Sequence, residues 1–545
     1  MDSKQPEYLS TYRQEKELPH LAKNRFQQNI ESPSLPHTSK TTTSKFPHPL
    51  PMKDEMLPQG ITFKANAKTF CPVPSSLANY TSFDEGNATP RYFRCTHQCI
   101  TPKECFSLGF GKQHIGVIVQ PLADPGVHET PIPLIERDDI VRCGKCAGYM
   151  NVNFELLDDG RNFKCNLCES VDVLREDYLG AAIERKYGMY EYIAPEKIKG
   201  RPIDSNNTIL LIDCSDYALT SGFSSQAVNS VKATINYIQD KKYFNIGVIL
   251  YASDISLYYI NNENLYSVVL SDANTPFAPL SKSAFLLNLE THQHYVELLF
   301  DRLISLLEVM MVSKRGQGSC GGSALKVAID ILKGGSGKIL WFIATSINKG
   351  LGTVQNRSKP ELWNSEKETT LLKPGESGVF YSSLSKLCIE SCAGVDIFAG
   401  GVDMDLSTIS KVAADTGGEL YYYPAFDLSI SGEKLYYDIF RNLTRTTVYG
   451  VSMRARCSRG LAITKYMGSF GENLDRFIEI ATLNTDHTIT FGIRYEKELS
   501  ISHAYIQFAI VFTKSSGKRF IRIFNYTLYV TDNIGTCFCI YRNGL

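Results

Sequence analysis

The sequence predicts a multidomain chain, α/β in its middle and β around it. It comprises a zinc ribbon, a doubly wound α/β domain, and a β-sandwich formed by segments that flank both. Three observations predict this. Two C-x2-C pairs stand eighteen residues apart at 143–168, apolar strand-like runs alternate with helical patterns over 200–444, and period-two runs occur both before the cysteines and after residue 444. At 545 residues the chain is too long for one core, which stops growing at about 250–300 residues.

Composition bounds the function. Lysine plus arginine is 57 and aspartate plus glutamate is 57, so the formal net charge is zero. That balance argues against a generic nucleic-acid binder, which needs a positive surface to displace counterions from phosphate. Residues 1–17 are polar and hold no apolar core of the signal-peptide kind. The longest apolar stretches, such as 338–346 (KILWFIATS), are too short to span a bilayer. A soluble cytosolic protein is expected, unless something recruits it to a membrane. Of 15 cysteines, most lie inside apolar runs (Cys214, Cys320, Cys388, Cys392, Cys457) and read as small buried hydrophobes of a reducing compartment.

In chain order, 1–75 is rich in Pro, Ser, Thr and Lys without periodicity and reads as a disordered tail. Within 76–137, runs at 92–96 and 115–121 look like strands with no sheet of their own. The ribbon, 138–178, contains VRCGKCAGYMNVNFELLDDGRNFKCNLC. Runs at 149–156 and 161–164 fold about Asp158-Asp159-Gly160, an Asp-Gly hairpin signal. That hairpin brings Cys165 and Cys168 beside Cys143 and Cys146 and predicts tetrahedral thiolate coordination of Zn2+. Four cysteines leave no open position, so the zinc is expected to be structural. Cys95, Cys99 and Cys105 lack a matching pair and read as packing residues.

From 200 to 444 strands are expected at 208–214, 244–252, 338–346, 395–401 and 419–423. Helices are expected around Val228–Val231–Ile235–Ile238 and at 295–311, 323–332, 380–392 and 405–414. Two ligand motifs are incomplete. Asp213-Cys214-Ser215 is half of the D-x-S-x-S metal pattern of von Willebrand A domains, and Tyr217 stands at its third position. Gly334–Ile339 (GGSGKI) resembles a phosphate loop, but Leu332 and Ile339 occupy required Gly and Ser/Thr places and Lys338 opens a strand. From 445 to 530, alternating runs at 451–458, 477–483, 487–495, 504–513 and 519–530 read as antiparallel strands, with Ser515–Lys518 closing the last hairpin.

These motifs in this order resemble a known family: RYFRCT, the ribbon with GRNFKCNLC, YEYIAP, LIDCS, PFAPL…FLLNL, SEKETTLLKP…FYSSLSKLC, VDIFAGGVDMDLSTIS, TGGELYYYP and MRARCSRGL. Over about 92–530 the chain resembles the cargo-adaptor family of the COPII vesicle coat. The sister subunit, which activates the coat GTPase, usually has a longer gap in its first cysteine pair, so C-x2-C favours the adaptor. The resemblance implies a von Willebrand A-like trunk at 200–444 and a non-enzymatic adaptor in endoplasmic reticulum to Golgi transport. It implies a heterodimer with the GTPase-activating subunit and binding of export signals on cytosolic tails of membrane cargo and SNAREs. Peripheral contact with the endoplasmic reticulum membrane at exit sites and indirect contact with the outer coat follow, with no nucleic acid.

The family's acidic-signal pocket maps by position onto Arg454 and Arg456 of MRARC, with Arg94 as a further candidate. Arg454 and Arg456 lie two apart on a strand and share a face, where paired guanidiniums can hold carboxylates. The alternative for two strand arginines is a solvated face. Lys514, Lys518, Arg519 and Arg522 form a basic hairpin that either faces anionic lipid or is solvated. The family continues into a helical and a gelsolin-like domain, which are expected to be absent here, since 531–545 (TDNIGTCFCIYRNGL) no longer resembles it. A shortened regulatory or non-functional form that binds the partner without completing the coat is therefore the alternative. An enzyme is the rival class, against which stand the incomplete metal and phosphate motifs and the lack of a serine-elbow or H-E-x-x-H motif.

Overall fold

The computed structural model describes residues 61–66, 73–74, 80–103, 114–126, 128–174, 178, 183–198, 200, 203, 205–261, 264–313, 318–355, 360–371, 375–471 and 477–533. The apolar run expected at 208–214 is the strand Asn206–Asp213, buried over all but its first residue. It runs parallel to Phe244–Tyr251 on one side and to Gly337–Ile343 on the other. Ala393–Ala399 and Leu420–Tyr422 continue the parallel order. Apart from the edge strand Leu420–Tyr422, these strands are buried on both faces because helices cover both. Phe223–Ile235, Gln293–Ser313 and Leu428–Thr444 lie on one face, where Val228, Phe300 and Leu435 share a core with Leu210, Val248 and Phe342. Gly321–Leu332, Gly375–Glu390 and Leu406–Thr416 lie on the other, around Ile209, Trp341 and Ile397. This is the doubly wound domain.

Among the trunk elements that escaped the sequence reading are a hairpin and a helix. The hairpin of Ile255–Asn261 and Asn264–Leu270 extends the sheet antiparallel beyond Phe244–Tyr251. Its outer strand is mostly exposed and so carries no apolar run. The helix Leu428–Thr444 buries Leu435, Ile439 and Leu443, and Asp427 caps it by accepting the Ser429 N–H at 2.8 Å.

Both incomplete motifs have internal work. Asp213 accepts the N–H groups of Ser215, Ala344 and Thr345 at 2.9–3.0 Å, tying two strand ends together. Burial pushes its carboxyl up. Lys338 is buried and pairs with Asp396 at 2.9 Å.

The flanking segments build one sandwich. In the seven-stranded sheet the order is Ile478–Asn484, Thr447–Cys457, His503–Thr513, Arg519–Val530, Met189–Ile193 and Leu134–Ile135, with Cys99–Ile100 beside Arg519–Val530. In the four-stranded sheet it is Leu461–Met467, Ile489–Tyr495, Ile115–Val119 and Phe93–Cys95. Phe93, Val117, Phe491, Phe508 and Phe524 fill the space between the sheets. The strand Met189–Ile193, which overlaps YEYIAP, was not expected to be a sandwich strand; its Tyr190 and Tyr192 are buried.

The reading of 1–75 as disordered is corrected at Ile61–Asn66, a strand parallel to Tyr80–Glu85 whose Phe63 and Ala65 are buried. The alternation of ITFKAN carries it. Residues 1–60 and 534–545 lie outside the described residues, and no described helix is long and apolar enough to cross a membrane.

Candidate zinc centre and the arginine cluster beside it

Each C-x2-C pair sits on a tight turn. In the first, Ala147 N–H donates to Cys143 O at 2.9 Å; in the second, Glu169 N–H donates to Cys165 O at 2.8 Å. The residue closing each turn is left-handed, Ala147 at φ 56° and Glu169 at φ 63°. Between the turns, Glu155–Leu157 pairs antiparallel with Asn162–Lys164 around the turn Asp158–Gly160, as the Asp-Gly signal predicts. Val171–Val173 adds a third strand. Met150, Phe154, Phe163 and Leu167 close a small core around the cysteines.

The four sulfurs of Cys143, Cys146, Cys165 and Cys168 all lie within 4.8 Å of one another. Cys143 Sγ is 3.5 Å from Cys168 Sγ, and Cys146 Sγ is 3.6 Å from Cys165 Sγ. Thiolates about 2.3 Å from a tetrahedral zinc stand about 3.8 Å apart, so the set fits the ion. Ser170 Oγ lies 3.1 Å from Cys143 Sγ and 3.0 Å from Cys168 Sγ, and Gly148 N–H donates to Cys146 Sγ at 3.4 Å. The hydrogen bond between Cys146 and Cys165 pulls the Cys146 thiol down and pushes that of Cys165 up. This is a structural zinc site: all four positions belong to the protein, and Zn2+ there crosslinks two turns.

The ribbon is held on the seven-stranded sheet. Gln507 accepts Tyr149 N–H at 2.7 Å and donates to Tyr149 O at 2.8 Å, clamping one residue from both sides. Asn153 donates to Thr527 Oγ1, and Arg459 N–H donates to Leu167 O.

Arg456 stands at this junction. It is 8% exposed, and its Nε donates to Cys146 O at 3.1 Å. Its Nη1 is buried with no hydrogen-bond partner. Burial, with Arg454 and Arg142 nearby, pulls its guanidinium down to about 10. Arg454 is half-buried on the same strand, its guanidinium 4.9 Å from the Phe477 ring centre. Arg142 lies over Tyr149 at 4.5 Å and donates to Ala147 O. Arg142 and Arg456 thus hold the first cysteine turn, with Arg454 near Arg456 and one buried donor unspent. Sequence reasoning missed Arg142, which the motif VRCGKC placed one residue from a ligand.

Arg94 is not part of this group. It lies in Phe93–Cys95 of the four-stranded sheet, donating to Pro90 O, Pro74 O and Tyr80 OH at 2.8–3.1 Å. The basic hairpin is also corrected: Arg522 is partly buried, pairs with Glu191 at 2.7 Å and donates to Pro121 O, and Arg519 donates to Thr513 Oγ1. Lys514 and Lys518 alone remain at its tip.

A second charged group joins trunk and sandwich. Arg445 binds Glu419 at 3.0 Å and Asp486 at 3.1 Å. Asn442 donates to Asp396 at 3.0 Å, and Asn484 donates to Glu419 at 3.3 Å. Burial pushes the Asp396 carboxyl up, but Lys338 and Arg445 together pull it below the usual carboxylate range. His487 is buried in the same seam and accepts Asn484 N–H at Nδ1.

Comparison with known proteins gives three family models in chain order. The Sec23/Sec24 zinc finger matches 140–178, the Sec23/Sec24 trunk domain 208–443 and the Sec23/Sec24 beta-sandwich domain 448–531. A "Protein transport protein SEC24" of Dictyostelium discoideum is 28% identical over 445 residues, covering 77% of this chain and 43% of the relative. "Protein transport protein SEC24 B" of Arabidopsis thaliana is 26% identical over 534 residues, covering 94% of this chain and 48% of the relative. The chain spans about half the length of these curated relatives. The crystal structure of the human COPII-coat protein Sec24c shares the fold, with TM-score 0.77 at 23% identity over 88% of this chain and 66% of that one.

Proposed function

The chain belongs to the Sec23/Sec24 family, and from that premise we propose that it is a non-enzymatic adaptor of the COPII coat in endoplasmic reticulum to Golgi transport. It selects membrane cargo, SNAREs included, by binding acidic export signals in cytosolic tails. It docks through its trunk on the GTPase-activating sister subunit and reaches the outer coat through that partner. It works at the cytoplasmic face of endoplasmic reticulum exit sites, with Lys514 and Lys518 available to anionic headgroups.

One observation supports the signal site: the unspent Nη1 of buried Arg456, beside Arg454 and Arg142. A buried donor without an acceptor is unfavourable by about 1–3 kcal/mol, and a carboxylate would relieve it. Arg454 shares the strand face and is more open, so it meets the peptide first and Arg456 fixes the carboxylate. Zinc acts indirectly, by fixing the turn whose Cys146 carbonyl orients Arg456. The proposal rests on Arg454 and Arg456; Arg94 is spent on Pro90, Pro74 and Tyr80.

The test is binding of acidic cargo-tail peptides to the zinc-loaded chain and to the Arg454→Ala/Arg456→Ala variant, with sister-subunit binding measured in parallel. The variant is expected to lose peptide affinity by at least about tenfold, the weight of one charge-assisted pair, and to keep the partner. Unchanged peptide affinity would remove the arginines from the site. A folded, zinc-loaded chain that fails to bind the partner would remove the coat reading.

A further inference from the structure

The chain holds two tryptophans and treats them oppositely. Trp341 is fully buried in the trunk core, whereas Trp363 is 54% exposed. Trp363 follows the short turn Pro360–Leu362 and precedes Glu368–Leu371. Local hydrogen bonds brace it there. Ser365 Oγ donates to Leu362 O at 2.6 Å, and Asn364 N–H donates to Glu368 Oε2 at 3.2 Å. The start of the helix Leu406–Thr416 stands across from this turn, and between them lies a cleft of about 580 Å3. That volume is within the range of ligand sites, about 300–1,000 Å3.

The lining has a definite chemistry. Trp363, Met404, Leu406 and Leu371 give apolar wall, and Glu366, Glu368 and Asp405 give acid; no lysine, arginine or histidine lines the cleft among the described residues. Asp405 is occupied as a helix cap, accepting from Thr408 N–H, Thr408 Oγ1 and Ser407 Oγ. Glu366 makes no ion pair among the described residues, and Glu368 accepts only the Asn364 N–H there.

We infer that this cleft binds a peptide segment of another protein that carries an arginine or lysine beside an apolar residue. An indole face is the best aromatic partner for a cation. Two exposed carboxylates around it supply the complementary charge and disfavour acidic peptides. Met404, Leu406 and Leu371 receive the apolar neighbour, and the thioether adapts to its shape. Exposed tryptophan framed by apolar wall is also the residue type that dominates binding at protein surfaces. This site is opposite in sign to the Arg454–Arg456 cluster and does not depend on it.

The test uses the full zinc-loaded chain and a labelled peptide of alternating leucine and arginine, with a leucine–glutamate peptide as counterpart. The leucine–arginine peptide is expected to bind and to shift the intrinsic tryptophan emission, since Trp363 is the exposed indole. Trp363→Ala should abolish that shift, and it and the Glu366→Gln/Glu368→Gln pair should each weaken binding about tenfold. Trp363→Phe, which keeps an aromatic face, should retain most of the affinity and so separates a lost contact from a misfolded turn. No binding of the leucine–arginine peptide overturns the inference, as does affinity unchanged in Trp363→Ala or equal affinity for the leucine–glutamate peptide.

Discussion

Ala147 carries a left-handed backbone, φ 56°, where glycine would sit without strain. A non-glycine residue there is disfavoured by about 1–2 kcal/mol. Replacing it by glycine also loosens the unfolded chain, by about 0.4–1 kcal/mol. Ala147→Gly is therefore expected to stabilise the first cysteine turn by about 0.5–1 kcal/mol net, read as slower zinc loss to a competing chelator. The cysteines were legible because C-x2-C spacing encodes the turn itself. The shared face of Arg454 and Arg456 was legible from strand period. Arg456's acceptor was not, because Cys146 O lies 310 residues away in sequence and arrives only when the ribbon docks. For the same reason Arg522 read as a surface charge, although its partner Glu191 is 331 residues off.

Most strands and helices with a continuous apolar run or stripe were legible, the helix Leu428–Thr444 and the strand Ile255–Asn261 being exceptions, and a strand defined only by its neighbour was not. Asn264–Leu270 is a strand because Ile255–Asn261 pairs with it, and its own exposed face gives no pattern. Phe93–Cys95 and Ile115–Val119 were readable as strands without a sheet; they pair with each other, and Ile489–Tyr495 beside Ile115–Val119 supplies the sheet. The strand Ala393–Ala399 shows how closely elements of trunk and sandwich meet. A side chain at Gly394 would collide with Thr482 of the strand Ile478–Asn484, and Thr482 Oγ1 also donates to Thr416 O at 3.4 Å. Gly394→Ala is expected to destabilise the chain by about 1–3 kcal/mol, seen as a lower unfolding midpoint. A midpoint within error of the unsubstituted chain would mean that the two elements can part at this point.

The seam between trunk and sandwich ties the molecule's behaviour to pH. Burial holds the His487 imidazole below its ordinary value of 6.5, with Glu419 and Asp396 opposing and Arg445 and Lys338 assisting. The unfolded chain therefore binds more protons than the folded one below that value. Stability is full above 6.5 and falls as pH drops below it. Asp396, Glu419 and Asp486 are also held below their ordinary values, so they take the same direction further down, in the carboxylate range. Asp84, pushed up to about 7 by burial, and Asp213 act in the opposite sense, so the seam's contribution is read as the difference between the chain and its seam variants in chemical unfolding, and that difference should decline in two stages on acidification. His487→Gln should flatten the upper stage and leave the lower one; an unchanged upper stage would assign it to another group.

The interleaving of the chain also bears on how it is made. Gln120 and Thr485, bonded in the finished sandwich, are 365 residues apart. At about 5–20 residues per second a ribosome needs roughly 20–70 s to cover that distance. Over that interval Ile115–Val119 can pair with Phe93–Cys95 on one side but has no partner on the other, while ribbon and trunk can already close on their own local contacts. The newborn chain is thus a finished middle with an open sheet edge in front of it. It exposes that edge to chaperones and to other nascent chains until Ile489–Tyr495 emerges to cover it.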